Sequence, residues 1–392
     1  MTAGQDLDCD IAILGGGLAG GLIALALRRE RPDVRLLVIE EGERLGGNHI
    51  WSFFESDVDA WGMTLLEPLI SHRWGSYEVR FPAHRRTLET AYHSIRSDQF
   101  DRAVTGALPD GALRLNAAVI GASPDAAVLD SGERIEARAV IDCRGAGDLS
   151  LLNCGWQKFV GVELELAAPH GLERPIVMDA TVEQIDGYRF VYSLPLSERR
   201  IFVEDTYYSD LPAMDAEALE ERAIAYAGAQ GWRGEVVHRE KGVLPVAMTG
   251  GKFGEYWRSG GKAAKAGVRA GMFHPVTGYS LPDAVRTARL VAQHADLSSE
   301  ALQGKLLVHA AQCWRRGRFY RMLDTMMFGG ADTEDRYKIL ERFYRLPPAL
   351  ISRFYAGRST TLDKLRIVSG KPPIPVGRGI GALLGANKRE NA

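Results

Sequence analysis

The first fifty residues constrain this chain more tightly than any other stretch. A short apolar run, Asp10-Ile11-Ala12-Ile13-Leu14, leads straight into glycines spaced Gly15-x-Gly17-x-x-Gly20. Leu22-Ile23-Ala24-Leu25-Ala26-Leu27 follows as an apolar helical pattern and ends in Arg28, Arg29 and Glu30. A second β-rich run, Arg35-Leu36-Leu37-Val38-Ile39, closes on Glu40, twenty positions after the third glycine. Strand, tight turn, helix and a strand with a terminal acid make the βαβ unit that binds a dinucleotide. Gly15 allows the turn, Gly17 lets the backbone approach a pyrophosphate, and Gly20 lets helix and strand pack closely. The pyrophosphate is expected on the unpaired N–H groups and positive end of the helix, with Glu40 on the ribose hydroxyls. A plain glycine-rich turn between core elements is the competing reading, and the complete spacing through Glu40 speaks against it.

Composition narrows the class further. A chain of 392 residues suggests two or three domains, or one unit with an inserted subdomain. Its 46% hydrophobic and 25% charged residues are those of an ordinary folded protein. A net charge of -2 argues against nucleic acid as a partner. Cys9, Cys143, Cys154 and Cys313 lie far apart with no CxxC pair, which suits a reducing cytoplasm and offers neither a disulfide framework nor a zinc site. The histidines form no ligand-spaced cluster, so no metal is expected. Ile11 to Leu27 carries no charge, but the acidic lead of Asp6, Asp8 and Asp10 and the glycines within it argue against a signal peptide or membrane span. The chain is expected in the cytoplasm, at most resting on a membrane surface.

Further along, Gly46-Gly47-Asn48-His49-Ile50-Trp51-Ser52-Phe53-Phe54 falls where a flavin-binding version of this fold passes its cofactor. His49 and Trp51 would contact flavin or wall a cavity; a glycine turn followed by a buried aromatic cluster fits equally well. Ser94 to Val104 reads as a helix start with serine and aspartate at the cap. Val140-Ile141-Asp142-Cys143-Arg144-Gly145-Ala146-Gly147 reads as a strand returning to the first sheet and opening into a second dinucleotide contact. Val160 to Leu166, Tyr188 to Ser193 and Arg200 to Glu204 alternate with period two and read as an inserted antiparallel sheet. Thr277-Gly278 opens a helix over Leu281 to Leu290, whose N–H groups suit a pyrophosphate or the pyrimidine end of a flavin. From Ser298 onward the pattern is helical, with an extended, then frayed or weakly helical tail over 371–392.

Several blocks then carry a resemblance. The βαβ unit, Gly46-Gly47-Asn48-His49-Ile50-Trp51-Ser52, Tyr188 to Leu196, Phe202-Val203-Glu204-Asp205-Thr206, Phe273-His274-Pro275-Val276-Thr277-Gly278-Tyr279-Ser280 and Arg353-Phe354-Tyr355-Ala356-Gly357 together resemble the bacterial lycopene β-cyclases, in matching order over nearly the whole chain. The resemblance implies an α/β fold: a Rossmann-type FAD-binding domain with an inserted antiparallel-sheet substrate domain and C-terminal helices, of the geranylgeranyl-reductase and aromatic-hydroxylase type. On that reading, 1–75 holds the FAD-binding βαβ part, 76–130 a mixed segment with an FAD-contacting helix, and 131–155 a return strand. The substrate sheet would span 156–260, a third FAD contact 261–295, and the helical region 296–392. Residues expected to touch FAD are Gly15, Gly17, Leu18, Ala19, Gly20, Glu40, Glu41, Gly47, Asn48, His49, Arg96, Gly145, Gly278 and Tyr279. Arg96 sits where related flavoproteins place an arginine on the phosphates. The superfamily often has Gly-Asp where this chain has Gly267-Val268, so another group must supply that aspartate's contact.

The implied reaction is an isomerisation by an intramolecular lyase. Lycopene's linear ends close to β-rings (γ-carotene, then β-carotene) with no net redox change, although the FAD must be reduced, with NAD(P)H the expected reductant. Protonating a terminal double bond needs an acid that keeps its proton near neutral pH. Adjacent carboxyls in an apolar strand are candidates, because burial and mutual repulsion raise such groups. The match to the family assigns the acid to Glu204, with Asp205 orienting neighbours or returning the proton. Alternation along a strand turns the two to opposite faces; a solvated strand-end pair is the competing reading. His274 either shuttles protons or bonds to backbone. Residues 314–355 interleave arginines with aromatics, which suits docking at the inner face of an anionic membrane or, equally, helical packing. Lycopene and related acyclic carotenoids are the expected substrates. A flavin-dependent monooxygenase or polyene reductase, and a non-catalytic prenyl-lipid carrier, are the alternatives.

Overall fold

The structure is a computed structural model and describes residues 7–370 and 375–385. Asp6 and the tail positions 371–374 and 386–392 lie outside the described residues; within the tail, Val376–Leu383 is helical.

The strand Cys9–Leu14 is central in the first sheet, between Leu36–Ile39 and Arg134–Asp142, and parallel to both. Being covered on both faces, it is a continuous apolar run rather than an alternating one. Leu113–Arg114 and Ala264–Lys265 add further parallel pairings, while Ala126–Leu129 and Val119–Ala122 extend the sheet as an antiparallel meander. One face packs on the helices Leu18–Glu30 and Leu281–Ala292 through Leu22, Ile23, Ala284 and Val285. The other is closed by Ala127, Leu129 and Ile135.

A second seven-stranded sheet runs in the order 234–247, 154–166, 200–209, 188–195, 176–179, 77–81, 84–88. Its register is long and unbroken between Cys154–Leu166 and Arg200–Ser209, from Trp156 opposite Ser209 to Glu165 opposite Arg200. One face is backed by the helix Ala216–Ala229, N-capped by Asp215. The other turns toward the first sheet and the C-terminal helices, where Phe190, Tyr208, Phe328, Phe343 and Phe354 share one core.

Three expectations need correction. Ser94, Ile95 and Arg96 are strand, not helix: Tyr92–Arg96 pairs with Ile50–Phe54 and His72–Trp74 in a third sheet, and the helix begins at Ser97. The β-branched and aromatic residues around Ser94 favour extended backbone, so the helix starts only after them. The second sheet is not wholly antiparallel, because Ile176–Asp179 runs parallel to Tyr77–Phe81. That sheet also takes its last two strands from the 77–88 hairpin, outside the span 156–260.

Candidate active site

One cavity of about 560 Å3 reaches from the first glycine turn to the inner face of the second sheet. At its first end, Gly15 has φ +93°, and a Cβ there would meet the backbone of Arg144 at 3.1 Å. A Cβ on Gly20 would sit 2.0 Å from the carbonyl oxygen of Gly15, so this position seals helix against turn. Gly17 differs: a Cβ there meets nothing within 4 Å, and Gly17 lines the cavity. It is also the N-cap of Leu18–Glu30 and offers no side-chain cap, leaving first-turn N–H groups for a ligand. Glu40 accepts from the N–H groups of Gly16 at 2.7 Å and Gly42 at 2.9 Å, and its carboxylate still faces the cavity with further lone pairs.

Leu18, Ala19, Glu41, Gly47, His49, Gly145, Gly278 and Tyr279 also line this cavity. Gly278 holds φ +67° in a turn closed by bonds from its N–H to His274 O and from His274 N–H to Tyr279 O. That turn sets the start of Leu281–Ala292 against Leu244 and Gln157 of the second sheet. Gln157 is buried and its Oε1 has no partner among the described residues, an acceptor facing the cavity.

The sheet face opposite is a grid set by register. Phe159, Phe190 and Gly242 form one row, and Gln157, Tyr208 and Leu244 the next; all line the cavity. In a third row, Tyr192, Glu204, Gly161 and Glu240 lie side by side on four strands. Gly161 leaves room for the Phe202 ring, which a Cβ would strike at 2.1 Å. Glu204 is the half-buried member of an otherwise buried strand interior. Thr206 Oγ1 donates to Glu204 Oε1 at 2.7 Å. Burial raises the Glu204 carboxyl most, and the charges of Glu240 and then Asp205 add to it. The Thr206 bond opposes them, and the group is pushed up to about 8.

Asp205 faces the other way. Arg189 Nε donates to it at 2.8 Å and Tyr207 OH at 2.6 Å, with Arg222 on Tyr207 behind them. Burial raises this carboxyl despite those partners. It does not line the cavity, so a proton-returning role for Asp205 is not supported by its position: strand alternation points it under the helix Ala216–Ala229.

Three other residues lie away from the cavity. His274 lines a separate cavity of about 70 Å3, donates from Nε2 to Phe354 O at 3.0 Å, and has no partner at Nδ1 among the described residues. Burial lowers it to about 4, and the Tyr320 and Phe354 rings enclose it. Arg96 is turned to buried Glu163 and to Asp98, because its strand position directs it to the second sheet. Asn48 donates to Arg239 O, which ties its loop to the strand Gly234–Ala247.

Other groups lining the cavity were not foreseen from sequence. Glu240 accepts from His49 Nδ1 at 3.0 Å and Ile50 N–H at 3.1 Å. Tyr192 OH bonds to Tyr92 OH at 2.9 Å and Ser52 Oγ at 2.8 Å. Arg144 pairs doubly with Asp142, whose carboxyl burial would raise but the charges of Arg144 and Arg269 hold below the usual range. Arg269 thus anchors the turn that lacks the superfamily's aspartate, through a 3.1 Å bond to Asp142. Gly145 and Gly147, which follow Arg144, were its only sequence signal.

Most of the 314–355 aromatics are core: Tyr320, Phe343, Tyr344, Phe354 and Tyr355 are buried, and Trp314, Phe319 and Tyr337 are partly buried. These aromatics face the core, as the helical-packing reading expects, and Arg321 and Arg336 are buried with them while Arg315, Arg316, Arg318 and Arg345 are exposed. Exposed apolar residues instead lie on the helix Thr361–Val368, at Leu362 (77% exposed) and Leu365 (58%). Among the described residues no helix is long and apolar enough to cross a membrane, and no group of residues forms a metal site.

A family model described as "Lycopene cyclase protein" matches residues 10–380. A lycopene beta-cyclase from a Paracoccus species is 46% identical over 382 residues, covering 95% of this chain and 97% of the relative. Among solved structures, a geranylgeranyl bacteriochlorophyll reductase-like protein from Thermoplasma acidophilum superposes with TM-score 0.58 at 12% identity, covering 93% of this chain and 96% of that one. A flavin-dependent halogenase from Xanthomonas campestris superposes with TM-score 0.60 at 12% identity, covering 98% and 95%. These two share the Rossmann-type α/β fold.

Proposed function

Since the chain belongs to the lycopene cyclase family, we propose that it closes the linear ends of lycopene to β-rings, first to γ-carotene and then to β-carotene. The observation that carries this reading is Glu204: a carboxyl raised to about 8, facing an aromatic cavity continuous with a dinucleotide cradle.

The residues fit FAD as the resident cofactor. Gly17 offers an open approach beside an uncapped helix N-terminus, Glu40 suits a ribose, and Gln157 and the Gly278 turn stand at the far end. When bound and reduced, FAD supplies negative charge that favours a carbocation in a low-dielectric site. NAD(P)H as the source of reducing equivalents belongs to the same proposal.

The chain's own residues do the rest. Glu204 gives its proton to the terminal double bond, leaving a tertiary cation. The neighbouring double bond attacks it, forming the six-membered ring, and transfer of an adjacent proton back to the Glu204 carboxylate completes the β-ring and restores the acid. Thr206 steadies the carboxylate left behind by donating to Oε1. Phe159, Phe190 and Tyr192 keep the polyene end dry, so that water does not capture the cation.

A hydrocarbon substrate must come from lipid, so we place the membrane-facing surface at Leu362 and Leu365, beside exposed Arg366 and Arg358, on the cytoplasmic side. The test of function is production in cells that accumulate lycopene and have no cyclase. Appearance of γ- and β-carotene supports the proposal; unchanged lycopene with folded, flavin-loaded protein contradicts it.

A further inference from the structure

Glu240 is a carboxylate on the same cavity face as Glu204, with no part in the steps above. It reaches Glu204 through sheet register alone: Gly161 is opposite Glu204 on one side and opposite Glu240 on the other. Residues directly opposite on neighbouring antiparallel strands point to the same face. The two acids therefore share a face, two strand spacings or roughly 10 Å apart along the backbone. Between them stands the ring of Phe202 over Gly161.

Glu240 is held in place by two hydrogen-bond contacts. Its Oε2 takes the Ile50 N–H, which can only donate, and its Oε1 faces His49 Nδ1 at 3.0 Å. Only 4% of its side chain is exposed, so solvent screens it weakly. The groups facing Glu204 are Thr206 on its own strand, Tyr192 on the next, Glu240 beyond Gly161, and Tyr279 from the turn before Leu281–Ala292. Asp205 acts from the opposite face. Among the described residues, none of these is a cation.

Resting on the proposed reading of Glu204, we infer that Glu240 is a positioning residue for cyclisation: its fixed negative charge, held by Ile50 and His49, keeps the proton on Glu204 until a double bond takes it. Burial already raises the Glu204 carboxyl by penalising its anion. A neighbouring charge adds a repulsion that acts only on the anion and so holds the acid loaded at neutral pH. His49, partly exposed at the cavity wall, sets how strongly that charge is felt.

Glu240→Gln is the direct test, because glutamine keeps an acceptor for Ile50 and a bonding atom for His49 while deleting the charge. The readout is the protonated-carboxyl band of Glu204 in infrared difference spectra of the flavin-loaded protein, assigned by its loss in Glu204→Gln. In Glu240→Gln the titration midpoint of that band is expected to fall by about one pH unit. The alkaline limb of the cyclisation profile should fall with it, at unchanged flavin content. An unchanged midpoint overturns the inference. If Glu240→Gln does not accumulate folded, His49→Phe tests the same coupling from the other side. Less shielding of Glu240 should move the midpoint up, and no movement is again contrary. Failure of the underlying reading is seen separately: normal cyclisation by Glu204→Gln removes Glu204 as the acid whatever the band does.

Discussion

Glu204 and Asp205 are consecutive in the chain and sit on opposite faces of one sheet, Glu204 toward the cavity and Asp205 in a buried pair with Arg189. Alternation along a strand separates two like residues into a chemical role and a structural one. Substitution should therefore affect them in different currencies.

Glu204→Gln is expected to retain FAD and fold stability yet lower cyclisation at least 100-fold, the range for losing a positioned acid. Product formation per bound flavin is the measurement. Activity near the parent's would remove Glu204 from the mechanism.

Asp205→Asn leaves Arg189 buried without its charge partner and should cost about 3 kcal/mol of stability. Denaturant unfolding measures this. The rate per folded, flavin-loaded molecule should stay within a few-fold of the parent, and a loss like that of Glu204→Gln would show that Asp205 touches the chemistry.

The raised Glu204 carboxyl sets a pH dependence. Folded protein holds this proton more tightly than the unfolded chain, so its contribution to stability falls as pH rises from the ordinary carboxylate range through about 8. Cyclisation should decline over the alkaline side of that window, as the protonated fraction does. Comparing melts of the parent and Glu204→Gln across this range isolates the term, since the variant should lack that slope.

The glycines separate in the same way. Gly17→Val projects into open cavity at an ordinary φ of -69°, so the protein should fold but purify without flavin. Gly20→Ala meets the Gly15 carbonyl at 2.0 Å and should instead lower the melting temperature. Absorption spectra and thermal melts of the two variants distinguish these effects.

Leu362→Ser with Leu365→Ser should weaken sedimentation with anionic vesicles while leaving the melting temperature unchanged, because both side chains are exposed. Binding equal to the parent's would place the membrane-facing surface elsewhere.

What the sequence made legible is what local patterns encode. The first βαβ unit is a stretch in which Gly15, Gly17, Gly20 and Glu40 each have a fixed job at a fixed spacing; strand period separated Glu204 from Asp205, and the family resemblance chose Glu204 as the acid. Glu240 was hidden because it lies 36 positions after Glu204 in the chain and reaches it only through Gly161, a residue without a side chain. Arg96 was misplaced because the cap-like Ser94 and Ser97 both fit a helix start, and strand pairing with Ile50–Phe54 decides between them. The arginine–aromatic stretch was ambiguous because period alone does not say which face of a helix meets the core.

The most direct test of the central claim is anaerobic incubation of the flavin-loaded protein with lycopene in liposomes, with and without chemical reduction, followed by absorption and mass of the product. We expect a cyclic carotene of unchanged mass, formed only when the flavin is reduced. A product shifted by hydrogen or oxygen would contradict acid-initiated cyclisation and make the protein a reductase or monooxygenase.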